Sequence, residues 1–115
     1  MNLMRQRLNR RVLGIAVSVV ALACLTLPGL LNAQEAADTF NKKCAVCHGK
    51  DGMGKTAKGK KAHVKPVSEN MKNSEADQIK IVEDGKGDDM DGYKKDFSAD
   101  QIKALVEYYS SLAPK

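Results

Sequence analysis

At 115 residues the chain has room for one small domain. Its net charge of +5 suggests a polyanion partner, but four of the positive charges are arginines within the first eleven residues. From Gln34 onward fifteen lysines face fourteen acids, which excludes a nucleic-acid surface built on overall charge.

Residues 1–33 read as an export segment. Arg5, Arg7, Arg10 and Arg11 precede an uncharged apolar stretch from Val12 to Leu27, and "PGLLNAQEA" follows. A basic start, an apolar middle and a small residue at Ala33 predict a secretory signal peptide cut between Ala33 and Gln34. An uncleaved anchor is the alternative, because Val12–Leu31 is twenty residues without a charge, about one bilayer's length. Lipid attachment at Cys24 is the weakest reading, since more apolar residues follow that cysteine. Residues 34–115 are the domain proper.

The first predicted helix covers about Glu35 to Val46 and sets Ala37, Phe40 and Cys44 on one side. It runs into "NKKCAVCHGKDGMGK", where Cys44, Cys47 and His48 stand together. Zinc would need four converging ligands, and adjacent Cys47 and His48 cannot easily meet on one ion held also by Cys44. A thioredoxin-like pair would need a βαβ context, and no strand-like alternation appears after Gln34. Covalent haem uses all three residues as one unit: two thiols one turn apart form thioethers, and the next residue's imidazole ligates iron. Cys44 and Cys47 are therefore the candidate attachment residues, and His48 the candidate proximal ligand. A haem would also supply core to a segment with no tryptophan, two phenylalanines and three tyrosines.

Gly49 to Pro66 contains four glycines and six lysines, and reads as an exposed loop. Its glycines permit either close passage beside a bound group or ordinary turns. A middle helix starts at Ser74, with Ala76, Ile79 and Val82 inward, and stops at Gly85. The last helix opens on a capping box, Ser98 with Gln101, and repeats Ile102, Leu105, Val106, Tyr109 and Leu112 before Pro114. Charge is uneven: eight lysines and one acid lie between Lys42 and Lys65, nine acids and four lysines between Glu75 and Asp100.

"CAVCHGKDGMGK" and the closing "MDGYKKDFSADQIKALVEYYSSL" together resemble the class I monohaem c-type cytochromes, over nearly all of Ala36 to Leu112. The resemblance implies an all-α fold of three to four helices around one covalently attached haem c. It also implies a distal methionine ligand from the loop before the last helix. Met90, in "GKGDDMDGYKKD", is the residue in that place. Met53 follows His48 too closely to reach the other face of the ring, Met71 precedes the middle helix, and His63 is the second candidate. Members of the family usually carry proline after this methionine; here Asp91-Gly92 follow, which predicts a less rigid loop and easier replacement of Met90 by Lys94 or Lys95.

The expected function is a soluble periplasmic one-electron carrier, not an enzyme, that meets redox partners at the exposed haem edge. Its lysines would favour acidic patches on those partners. A haem subunit of a larger oxidoreductase, or a haem protein whose labile sixth ligand admits small gases, are the alternatives. No nucleic acid is expected, and a membrane is involved only if the N-terminal segment stays uncleaved.

Overall fold

Serine caps open two of the predicted helices in the computed structural model, which describes residues Pro28–Lys115 and, as side chains, Asn32 onward. The signal and anchor readings of residues 1–27, with Cys24, lie outside the described residues. Six helical segments follow in order among the described residues: α1 (Pro28–Lys43), α2 (Ala45–His48), α3 (Ala57–Lys61), α4 (Val67–Asn70), α5 (Glu75–Asp84) and α6 (Ala99–Ser111). The described residues hold no strand beyond one isolated bridge, Lys86 with Met90. Three helices are long and three are single turns, so the all-α expectation holds, with extra turns in the connections.

Asn32–Lys115 forms one compact unit, and its centre is the meeting of α1 with α6. Ala36 and Phe40, one turn apart, are buried on α1, and Ile102, Leu105 and Val106 on α6. The Phe40 ring lies 5.4 Å from Tyr108 and 5.9 Å from Tyr109 between centroids, both from α6. Near the start of α6, Gln101 Nε2 donates to Glu35 Oε1 of α1 at 3.2 Å. The α6 N-terminus carries the expected capping box, with Ser98 accepting from Gln101 N–H and Gln101 Oε1 accepting from Ser98 N–H. Ser74 caps α5 by accepting from Asp77 N–H, and Gly85 ends it at φ +81°.

Ala76, expected on the inner face of α5, is exposed, and two further expectations need correction. The first helix is not continuous to Val46: α1 stops at Lys43, Cys44 is a turn residue, and α2 restarts at Ala45. The chain stays closely wound there, since Cys44 N–H still donates to the Phe40 carbonyl at 2.9 Å and His48 N–H to the Cys44 carbonyl at 2.9 Å. The break re-aims the motif without unwinding it. The second correction concerns Gly49–Pro66, which is not simply an exposed loop. It contains α3, and Gly49, Gly52, Gly54 and Gly59 are all buried. Gly59 has a physical reason to be glycine: a Cβ there would collide with the Cys47 carbonyl oxygen and lie 2.6 Å from that of Gly54. The close passage is against the protein's own backbone, and it seats α3 on α2.

Among the described residues no helix is long and apolar enough to cross a membrane.

Candidate haem-attachment site

Cys44, Cys47 and His48 share one turn of chain. Cys47 N–H (3.1 Å) and His48 N–H (2.9 Å) both donate to the Cys44 carbonyl, which brings the two side chains round over the same stretch as Cys44. Both thiols are free and half-buried. Burial, with the neighbouring Cys47 as the second cause, pushes the Cys44 thiol up to about 11, so it is a neutral thiol at physiological pH.

His48 is wedged between aromatics. Its ring centroid is 5.1 Å from that of Tyr109, edge-on, and 6.3 Å from that of Phe40. Burial lowers its pKa below the ordinary histidine range, so the imidazole is neutral and keeps a lone pair for a metal. Its Nδ1 is buried without a hydrogen-bond partner among the described residues. Tyr109, whose phenol is itself raised by burial, is held in place by Asn70, which donates to its hydroxyl oxygen at 2.8 Å.

Thr56 organises the far end of the motif. Its hydroxyl donates to the Val46 carbonyl (2.8 Å), with the Cys47 carbonyl at 3.0 Å, and accepts from Gly59 N–H at 2.9 Å. One side chain thus serves the unpaired carbonyls at the end of α2 and caps the start of α3. Gly54 N–H donates to the His48 carbonyl at 2.8 Å. The basic turn of Lys58, Lys60 and Lys61 is consequently seated beside the cysteine motif.

Met90 is half-buried in the loop between α5 and α6. The loop reaches the core beside the cysteine turn through Phe97, on which Tyr93 stacks. Burial raises the Tyr93 phenol above its ordinary range, and nearby Asp91 adds to the shift. Tyr93 stacks on Phe97 at 5.7 Å, and Phe97 packs on the Phe40, Ala45 and Leu105 cluster that includes Cys44 at its edge. The other candidates differ. Met71 is 44% exposed, and His63 is exposed in a left-handed turn at φ +55°. Met53 is half-buried, its N–H bonded to Asp51 Oδ1 at 3.0 Å.

Thr56, Gly59, Asn70 and Tyr93 are absent from the sequence-based site. Thr56 preceding a helical turn is a readable cap signal. The roles of the other three depend on segments far apart in the chain.

The residues present fit a covalently held haem. Two unpaired thiols one turn apart precede a desolvated neutral imidazole that is packed between Phe40 and Tyr109. No described cluster of three or more histidine, cysteine or acidic side chains offers a competing metal site.

Comparison with known proteins agrees. Residues 31–108 match the family described as cytochrome c oxidase, cbb3-type, subunit III. A curated relative from Thiomonas intermedia (strain K12), named thiosulfate dehydrogenase electron acceptor, is 37% identical over 73 residues. That stretch is 62% of this chain and 32% of the relative, so the chain matches about a third of that protein's length. Among solved structures, the KustC0563 c-type cytochrome superposes with a TM-score of 0.64 at 22% identity, covering 69% of this chain and 98% of the other. The family match spans most of the chain, and it falls on a fold and a thiol–imidazole turn suited to the same cofactor: the protein belongs to this family and is a monohaem c-type cytochrome, a small all-α domain carrying one covalently bound haem c.

Proposed function

We propose that the protein is an exported one-electron carrier. Cys44 and Cys47 hold the haem through thioethers, His48 is the proximal iron ligand, and Met90 is the distal ligand. The haem, when bound, supplies an iron that changes between ferrous and ferric states. The chain's residues set the conditions for that change. His48, neutral and packed between Phe40 and Tyr109, presents a lone pair without a proton to lose. Met90 closes the other side against water and small ligands, and its thioether favours the ferrous form, raising the potential. If His48 and Met90 both hold the iron, they would leave it no place for a substrate, and the protein would transfer electrons in brief encounters with partner proteins.

The observation that carries this reading is the turn Cys44–His48, which brings two unpaired thiols and a desolvated imidazole together within five residues. The relative named as an electron acceptor of a dehydrogenase supports the carrier role and suggests a dehydrogenase as donor. The leader-like residues 1–33 support export to the periplasm. Optical spectra of the protein from a haem-maturing host test the ligands. A weak near-red band of the ferric form reports sulfur on iron; it is expected to vanish in Met90→Ala and persist in His63→Ala. Denatured protein without covalently bound pigment would refute the whole proposal.

The matched family description, an oxidase subunit, and the longer relative favour a second reading, a haem subunit of a larger oxidoreductase. Purification as a free monomer with a processed N-terminus selects the carrier; co-purification with a membrane complex selects the subunit.

A further inference from the structure

The loop that carries Met90 is pressed onto the end of α5 by two glycines. A Cβ on Gly85 would lie 2.6 Å from the Met90 carbonyl oxygen and 2.7 Å from Gly92 N. A Cβ on Gly92 would lie 2.7 Å from the Glu83 carbonyl oxygen and 2.8 Å from that of Asp84. Gly92 and the Met90 carbonyl thus fill the place that a side chain on Gly85 would need, and the last residues of α5 fill the place that a side chain on Gly92 would need. Hydrogen bonds close the same contact. Lys86 N–H donates to the Met90 carbonyl at 2.8 Å, Tyr93 N–H to the Val82 carbonyl at 2.8 Å, and Lys94 N–H to the Glu83 carbonyl at 3.2 Å. The Val82 and Glu83 carbonyls belong to the last turn of α5 and have no partner within the helix, so the loop is also the helix's cap. Outside this contact, Asp84 bridges Lys80 (3.1 Å) and Lys94 (3.0 Å).

We propose that this Gly85–Gly92 interlock positions Met90, fixing the main chain on both sides of the thioether so that it stays on the iron. The proposal rests on Met90 being the distal ligand and names the device that holds it there. It assigns to Gly92 a role of space alone, because Gly92 is not among the glycines with positive φ. Gly87 is the converse: its φ is +54°, yet nothing lies within 4 Å of where its Cβ would be.

Those two glycines make the experiment. In the haem-loaded protein, Gly92→Ala is expected to lose most of the near-red band and to bind cyanide about tenfold faster, because the ligand-free state becomes more populated. Gly87→Ala, strained but uncrowded, is expected to keep the band and to bind cyanide within about twofold of the parent rate. A band missing from the parent, or surviving in Met90→Ala, refutes Met90 ligation and the interlock's role with it. A band lost in Met90→Ala but intact in Gly92→Ala, with cyanide binding at the parent rate, refutes the interlock alone. Should Gly92→Ala not accumulate, amide exchange in the parent holoprotein decides. Tyr93 and Lys94 amides protected about a hundredfold over that of Asp88 support the interlock, and equal exchange overturns it.

Discussion

Tyr109 does two things at once, and substitution separates them. Its ring packs on Phe40 and meets His48 edge-on, while its hydroxyl accepts from Asn70. Tyr109→Phe keeps the ring and leaves the Asn70 amide short of one partner, so a loss of about 1 kcal/mol is expected in denaturant unfolding of the holoprotein. Phe40→Ala removes a buried ring from the centre of the α1–α6 contact and is expected to cost about 3–5 kcal/mol in the same measurement. The two variants should also differ spectrally, since only Phe40→Ala removes a wall of the His48 site. At this scale much was legible beforehand. The spacing of Cys44, Cys47 and His48 carries its own chemistry, and Phe40 and Tyr109 read correctly as core from helical periodicity. Tyr93 did not, because an aromatic in an acidic loop has no periodicity to announce what it faces.

The elements owe their ends to single polar side chains. Thr56→Val removes the cap of α3 and the donor to the end of α2, and is expected to cost about 1–2 kcal/mol in unfolding. Asp84 governs the outer edge of the Met90 loop. Hydrogen bonds from Lys94 and then Lys80 hold its carboxyl below the ordinary carboxylate range. A carboxyl with a depressed pKa in the folded state contributes stability that is present above its unfolded pKa and lost as pH falls through the folded one. The near-red band should therefore weaken on acidification, and Asp84→Asn should remove part of that dependence. The change should be small, as the pair is solvent-exposed. The expected looseness of a loop lacking proline after Met90 meets an opposing feature here. Gly92 lets the main chain sit on α5, and Lys94 makes an exposed ion pair with Asp84.

Across the whole molecule the uneven charge gains a location. Gly59 lets α3 rest on α2, which puts Lys58, Lys60 and Lys61 beside the cysteine turn, while the acids of α5 and the Met90 loop lie on other elements. Electron exchange with a partner of acidic docking face should accordingly be faster at low salt and fall as the Debye length shrinks to about 8 Å near physiological ionic strength. Lys60→Glu with Lys61→Glu should slow that exchange at low salt and leave it unchanged at high salt, as read by stopped-flow mixing. A rate indifferent to ionic strength in both proteins would remove the steering claim.

Local relations were readable from the chain alone. Caps at Ser74 and Ser98, the stop at Gly85 and the thiol–thiol–imidazole unit all involve residues within one or two turns of each other, where helical geometry leaves few alternatives. The break at Cys44, the burial of four glycines, the Thr56 bridge and the seat of Gly92 on Glu83 and Asp84 could not be read that way. Each is a close approach between segments separated by loops, and its position depends on how α1, α5 and α6 pack, which no short-range pattern encodes.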